Sequence, residues 1–310
     1  MIGKPPVVCL LGPTGTGKTA AAIAVSRRTP ASVVNFDSRQ VYCDFPVITA
    51  QPDAEERAAC PHLLYGFLPT QEKMSAAMFV KLAVQAIGEV HARGRLPILV
   101  GGTGLYLRSL LRGIAPIPEI PVDIRQRVLD RIGKEGPQSL YAELQHDDPE
   151  YAAIIHPNDT QRNARAAEVF LATGKTMTWW HQNSAHTPAP FDTVKVGVFI
   201  DLDALAPRLA ERIDAMLAAG ALEEARGAWE RCPDPDAPGW SGIGCAELLE
   251  HLRGGVSLDE AKAQWVKNTR AYAKRQITWF RKEEGIDWFA PGQDEAVADH
   301  VLRWLEGRDG

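Results

Sequence analysis

Apolar residues gather in four short, nearly unbroken runs, at 7–11, 32–36, 97–100 and 194–200. Each is too short for a helix and is bounded by turn-forming residues, so each reads as a strand. Runs that are apolar throughout, rather than alternating, belong to strands covered on both faces. Between the first three lie stretches of helical period, around 19–28 and 75–93. Strand alternating with helix predicts an α/β fold, a parallel sheet with helices on both faces. In such sheets working residues collect at the C-terminal ends of the strands. That rule selects 12–19, Asp37-Ser38-Arg39-Gln40, Gly101-Gly102-Thr103-Gly104 and Asp201-Leu202-Asp203.

The pattern changes between 113 and 191. This stretch opens on the proline-rich 115–121 and closes on Thr187-Pro188-Ala189-Pro190. Between them come helical patterns at 122–134, 139–145 and 160–173, the last stopped by Gly174. The expected organisation is a sheet core begun by 1–112, an inserted helical subdomain at 113–191, and core completion with a helical C-terminal region at 192–310. In that last region 205–231 and 246–282 are helical. Pro207 must then lie in a first helical turn or make a kink.

Composition narrows the class. The 310 residues are 45% hydrophobic and 24% charged, the balance of a globular protein. No apolar run is long enough to span a bilayer, and none resembles a leader, so a cytoplasmic protein with no membrane partner is expected. Five cysteines without C-x-x-C spacing argue for reduced thiols and against a disulfide frame or zinc site. The net charge of −5 weighs mildly against a nucleic-acid partner, but only as an average over the surface.

Against that background, residues 12–19 stand out: Gly12, Pro13, Thr14, Gly15, Thr16, Gly17, Lys18 and Thr19 fit G-x-x-x-x-G-K-[ST] between a strand and a helix. The glycines allow a nest of backbone N–H donors, and the helix N-terminus adds positive potential. Lys18 can neutralise phosphate oxygens and the Thr19 hydroxyl can ligate Mg²⁺. The fold class is therefore a P-loop NTPase-like core carrying an inserted helical subdomain.

Other positions leave alternatives open. Asp37 ends the second strand and suits a Mg²⁺ partner, a general base or a helix N-cap. Thr103 either caps the next helix from a tight turn or aims its hydroxyl into the same crevice. Arg208 and Arg212 share a helix face that could reach pyrophosphate or only be solvated. Residues 265–282 hold six basic side chains, no acidic one, and the aromatics Trp265, Tyr272, Trp279 and Phe280. At helical period Val266, Ala273, Ile277 and Phe280 make an apolar stripe, flanked by Lys267, Arg270, Lys274 and Arg281. Phosphate contacts with stacking surfaces suit a nucleic-acid face, and a solvated amphipathic helix is the plain alternative. Gln161, Arg162 and Arg165 open a helix behind Asn158-Asp159, a place that favours an anionic partner.

Together these stretches resemble the tRNA dimethylallyltransferases, in the shorter bacterial form. The matching segments are G-P-T-G-T-G-K-T at 12–19, D-S-R-Q-V-Y at 37–42, I-T-A-Q-P at 48–52 and V-G-G-T-G-L-Y at 100–106. They continue as I-H-P-N-D-T-Q-R-N-A-R-A-A-E-V-F at 155–170, T-G-K at 173–175, S-G-I-G at 241–244 and K-R-Q-I-T-W-F-R at 274–281. The resemblance implies transfer of a dimethylallyl group from dimethylallyl diphosphate to N6 of adenine 37 in a tRNA anticodon stem-loop. It implies that Asp37 is the base, with Thr103 and Arg212 near the diphosphate or the reacting centre. It further implies tRNA contacts by Asp37, Ser38, Arg39, Gln40, Thr103 and Arg125, and by Gln161, Arg162, Asn163, Ala164 and Arg165. Ser241, Gly242, Ile243, Gly244, Cys245 and Ala246 join them, as do Lys274, Arg275, Gln276, Ile277, Thr278, Trp279, Phe280 and Arg281. A monomer is expected, because one chain supplies every part of the site. Three departures from the family pattern are Gln51 in place of lysine, Cys245 after I-G, and Pro207. The rival enzyme is a P-loop small-molecule kinase. A GTPase-type switch is the other rival, although no N-K-x-D guanine signature is present.

Overall fold

The computed structural model describes residues 4–184 and 190–308. The expected Thr187-Pro188-Ala189 stop therefore lies outside the described residues. The chain forms two compact units, Met1–Leu111 with Ala189–Gly310, and Arg112–Pro188.

The first unit begins with β1 (Pro6–Leu11), α1 (Lys18–Arg28), β2 (Ala31–Asn35), α2 (Ala54–Ala59), β3 (His62–Leu63), α3 (Ala76–Ala92), β4 (Leu96–Gly101) and α4 (Gly104–Arg112). The second holds α5 (Val122–Glu135), α6 (Pro137–Asp147), α7 (Pro149–Ala152), α8 (Thr160–Thr173) and α9 (Met177–Asn183). The first resumes with β5 (Asp192–Val198), α10 (Leu202–Ala218), α11 (Ala221–Arg231), α12 (Cys245–Leu252), α13 (Leu258–Phe280), β6 (Ile286–Phe289) and α14 (Asp294–Glu306).

All six strands form one parallel sheet in the order β3-β2-β4-β1-β5-β6. Successive side chains on a strand face opposite ways, so the unbroken apolar runs fill two cores. Val8 and Leu10 face α1 and α14, meeting Ala22, Val25, Val297 and Val301. Val7, Cys9 and Leu11 face α3 and α4, meeting Ala83, Ile87, Leu107 and Leu110. Register then sets the strand ends: Leu11 pairs with both Gly101 and Gly197, and Asn35 with Val100. The loops after β1, β2 and β4 therefore emerge side by side.

Several expectations needed correction. β3 and β6 were not among the four apolar runs. β3 is two residues long, and β6 carries the exposed Asp287 and Trp288 at the sheet edge. The stretch expected to be helical from 205 to 231 breaks at Gly220, which takes a left-handed conformation. Pro207 is not in a first turn, because α10 starts earlier, at Leu202, and puts it in the second turn. Lacking an N–H, it leaves the Asp203 carbonyl without its usual donor.

The helical unit has its own core. Ile120, Leu144, Tyr151, Val169 and Met177 form one cluster, and Val128, Leu140 and Ala164 a second. Its third expected helix keeps the expected bounds, capped by Asp159 and ended by left-handed Gly174.

Candidate active site at the ends of the strands

The phosphate loop leaves β1 and closes on α1 with Gly15 and Gly17 at φ of 81° and 90°. A side chain at either would be strained, so glycine is required for the loop to curl its amides inward. The Thr16 hydroxyl donates to the Pro13 carbonyl at 2.9 Å. Lys18 Nζ donates to the carbonyls of Gly12 at 3.0 Å and Pro13 at 2.8 Å, so the ammonium lies folded over the loop. Burial pushes its pKa down to about 8, the carboxylate of Asp37 pulls it up, and Arg212 pushes it down. Burial likewise lowers Arg212, against upward pulls from Glu56 and Asp37. Lys18, Asp37 and Arg212 thus converge from three separate segments. Arg208, one turn earlier on α10, is exposed.

Asp37 does not cap a helix. Its Oδ1 accepts from the Arg39 amide at 2.9 Å, closing an Asx turn, and its own amide donates to Asn35 Oδ1 at 2.7 Å. Asn35, buried at the end of β2, also donates to the carbonyls of Asp37 at 3.0 Å and Leu64 at 2.9 Å. The carboxylate is therefore fixed by its own loop, and Oδ2 has no partner among the described residues. Thr103 also departs from simple capping. Its Oγ1 accepts from the Ser38 amide at 3.0 Å and donates to Ser38 Oγ at 3.3 Å, joining the loops after β2 and β4. The phenol of Tyr272, on α13, lies close enough to Thr103 for the threonine to hold its pKa down against burial.

The charge of Asp37 reaches three phenols. Tyr65, Tyr106 and Tyr272 all have raised pKa values, first through burial, with the charge of Asp37 adding to each. They present neutral, weakly polar walls. Tyr106 is fixed by stacking on Phe79, centroids 4.2 Å apart. Sequence reasoning gave Tyr272 only a stacking part and did not name Tyr65, for which no motif signals a place here.

The residues expected to touch RNA divide sharply. Arg39 reaches Ser241 Oγ at 2.9 Å, so the D-S-R-Q and S-G-I-G segments do meet. Gln40 instead spends its amide on the carbonyls of Thr49 at 3.1 Å and Ala50 at 2.5 Å, fixing the loop before Gln51. Gln51 donates to the Tyr42 carbonyl at 2.7 Å. Cys245 is fully buried and its thiol pKa is raised, so its side chain faces no ligand. Gly242 and Gly244 are buried too, while Ser241 and Ala246 are exposed and Ile243 is half-buried.

On α13 Lys274, Arg275, Thr278 and Arg281 are exposed. Gln276, Ile277 and Phe280 are buried, as is Trp265, and Trp279 lies against Gly104, where a Cβ would collide with it. The aromatics thus serve the core, and the outer face offers cations rather than stacking rings. Arg270 is paired with Asp203 at 2.8 Å, leaving Lys267 exposed beside it.

In the helical unit Gln161 and Arg162 are exposed and Arg125 and Arg165 half-buried. Asn163 is 1% exposed and donates to the Pro157 carbonyl at 2.8 Å, and Ala164 is buried, so neither side chain is offered outward.

No cluster of three or more His, Cys, Asp or Glu among the described residues could hold a metal alone. Mg²⁺ instead takes one or two protein oxygens, phosphate oxygens and waters. The half-buried Thr19 in the first turn of α1, beside the nest, fits such a donor set.

Comparison with known proteins gives the chain's family. The IPP transferase family model matches residues 40–283 and the isopentenyl transferase model residues 5–62. A tRNA dimethylallyltransferase of Maridesulfovibrio salexigens is 58% identical over 300 residues, covering 97% of each chain. One from Oleidesulfovibrio alaskensis is 54% identical, covering 98% of this chain and 99% of its own. The crystal structure of the full-length tRNA isopentenylpyrophosphate transferase from Bacillus halodurans superposes with a TM-score of 0.72 at 32% identity, covering 99% of this chain and 98% of that one. A eukaryotic dimethylallyltransferase captured acting on tRNA gives a TM-score of 0.80 at 28% identity, covering 96% of this chain and 78% of that one.

Proposed function

The chain belongs to the tRNA dimethylallyltransferase family, and from that premise we propose that it moves a dimethylallyl group from dimethylallyl diphosphate to N6 of adenine 37 in tRNA, at the crevice where Asp37, Lys18 and Arg212 converge. That convergence is the observation that carries the reading. The bond from the allylic carbon to the diphosphate breaks as the bond from N6 forms. Diphosphate leaves, and the amine proton passes to Asp37.

An exocyclic amine is a weak nucleophile, so leaving-group charge must be met as it develops. The inward amides of 15–19, Lys18 and Arg212 are held in place for this, from β1, α1 and α10. Mg²⁺, held by Thr19 and diphosphate oxygens, would supply further neutralisation. The Asx turn spends one carboxylate oxygen on the Arg39 amide and leaves the other free, so the base is held by its own loop before it accepts the proton. Thr103 keeps that turn in register with β4. The target adenine must leave its stack, which costs least in a single-stranded loop.

RNA contacts fall to the exposed cations, Lys274, Arg275 and Arg281 with Thr278, to Arg39 and Ser241, and to Gln161, Arg162, Arg165 and Arg125. The buried Gln276, Ile277, Phe280, Cys245, Asn163 and Ala164 hold those elements in shape. The reaction belongs in the cytoplasm, where its substrate RNA is, and reduced thiols agree with that: all five cysteines are free. The kinase reading leaves the cation-bearing α13 without a task, and the family relationship decides against it. The test is incubation with Mg²⁺, dimethylallyl diphosphate and unmodified tRNA, read by nucleoside mass spectrometry. One dimethylallyl group on adenine 37 is expected; ATP consumed on a small acceptor instead would overturn the reading.

A further inference from the structure

Gln276 lies in the K-R-Q-I-T-W-F-R segment with exposed cations on either side, yet it is only 4% exposed itself. Both ends of its amide are used. Oε1 accepts from the Thr14 amide at 3.0 Å, across 262 residues of sequence, and Nε2 donates to the Gly102 carbonyl at 3.0 Å. The two partners sit on the loops after β1 and β4. An amide side chain offers an acceptor and a donor side by side without titrating. A Cβ at Gly102 would collide with Gln276 Nε2, so a side chain there would push the amide off the turn.

The neighbours repeat the contact along one helical face. Tyr272 neighbours Thr103, and Trp279 covers Gly104. The face formed by 272, 276 and 279 therefore grips two strand-end loops while the opposite face carries Lys274 and Arg281.

We propose that Gln276 is a positioning residue for the diphosphate cradle, tying the front of the phosphate loop and the G-G-T-G turn to the cation-bearing helix α13. It does not touch RNA. Thr14 N–H is spent on Gln276 instead of on phosphate, and this fixes the curl that aims the later amides. The inference rests on diphosphate lodging in the loop at 12–19. Removing the amide leaves a loop N–H and a strand-end carbonyl without partners, and nests work only within about 0.5 Å of their productive geometry.

The test titrates inorganic diphosphate with Mg²⁺ into the wild-type protein, Lys18→Ala and Gln276→Met, alongside tRNA binding without donor and thermal melting. Methionine is close in volume and offers neither bond. The expected result is diphosphate affinity about tenfold weaker in Gln276→Met, tRNA affinity within about twofold of wild type, and KM for dimethylallyl diphosphate raised more than kcat is lowered. Should Gln276→Met fail to fold, Gln276→Glu takes its place, keeping the acceptor for Thr14 and losing the donor to Gly102. Weakened diphosphate binding with unchanged tRNA binding is again expected. Wild-type diphosphate affinity in the Gln276 variant, with binding lost in Lys18→Ala, overturns the inference alone. An equal fall in both affinities reduces Gln276 to a purely structural role and overturns it as well. Unchanged binding in Lys18→Ala overturns the reading of the loop on which the inference rests.

Discussion

The strand-end cluster and the helical unit hold their candidate functional side chains in different ways. At the strand ends the ties are long-range: Ser38 to Thr103, Arg39 to Ser241, and Thr14 to Gln276, each joining segments far apart in sequence. In the helical unit they are local. Arg162 leans on Asp159 at 3.6 Å and Arg165 on Glu168 at 3.5 Å, both within a single turn of α8. Long-range ties hold a carboxylate and a phosphate nest from several elements at once, which chemistry on a small group demands. Local pairs on an exposed helix leave long side chains free to follow a backbone of phosphates, where charge matters more than aim. Under the proposed function, the difference separates the residues assigned to reaction from those assigned to binding.

The sharpest way to break this comparison is Asp37→Ala. Turnover should fall by about 10²–10⁴ while tRNA affinity is largely kept, measured by mass spectrometry beside RNA titration. Surviving turnover would remove Asp37 from the base role. Lys18→Met comes next and should cost about tenfold or more in diphosphate affinity. It should also raise the melting temperature at neutral pH. Lys18 titrates near 8 in the fold, below its ordinary 10.5, so folding disfavours the charged form. That penalty is full below the folded pKa and fades as pH rises through it, and a neutral methionine escapes it. For the same reason diphosphate affinity in the wild type should decline above about pH 8, and the decline should vanish in the methionine variant.

Leu140→Ala, in the core of the helical unit, tests whether the two regions are separable. A stability loss of about 2–5 kcal/mol is expected by denaturant unfolding. Inorganic diphosphate affinity should stay unchanged, and a parallel loss would mean that the nest depends on that core. The smallest effect belongs to Arg162→Ala. It should weaken tRNA binding by about 1 kcal/mol and lower the slope of log K against log salt by about one, with kcat intact.

Much of this division was legible early, though unevenly. The apolar runs marked β1, β2, β4 and β5 because a strand buried on both faces cannot afford polar positions. The edge strands β3 and β6 escaped notice because a two-residue bridge and the sequence Ile-Asp-Trp-Phe carry no such constraint. Asp37 and Thr103 were placed by the strand-end rule, but their partners were not. An Asx turn and a cross-loop hydroxyl leave no periodic trace. On α13 the charge pattern suggested an aromatic and basic RNA face, whereas Trp265 and Phe280 turned inward, since only packing neighbours decide which side of a helix a large ring covers.

By itself, then, the sequence determined whatever depends on local spacing: a phosphate nest between strand and helix, a parallel sheet, and the strand ends where polar residues must gather. Tertiary structure alone decided which polar side chains remain available at the surface and which are spent inside the fold. Gln40, Gln276 and Asn163 are as polar as Arg39, Lys274 and Gln161, yet the first three satisfy buried carbonyls and amides while the others reach solvent or the surface. A buried backbone group demands a partner, and which side chain comes within hydrogen-bonding distance of it depends on elements brought together from as far as 262 residues apart.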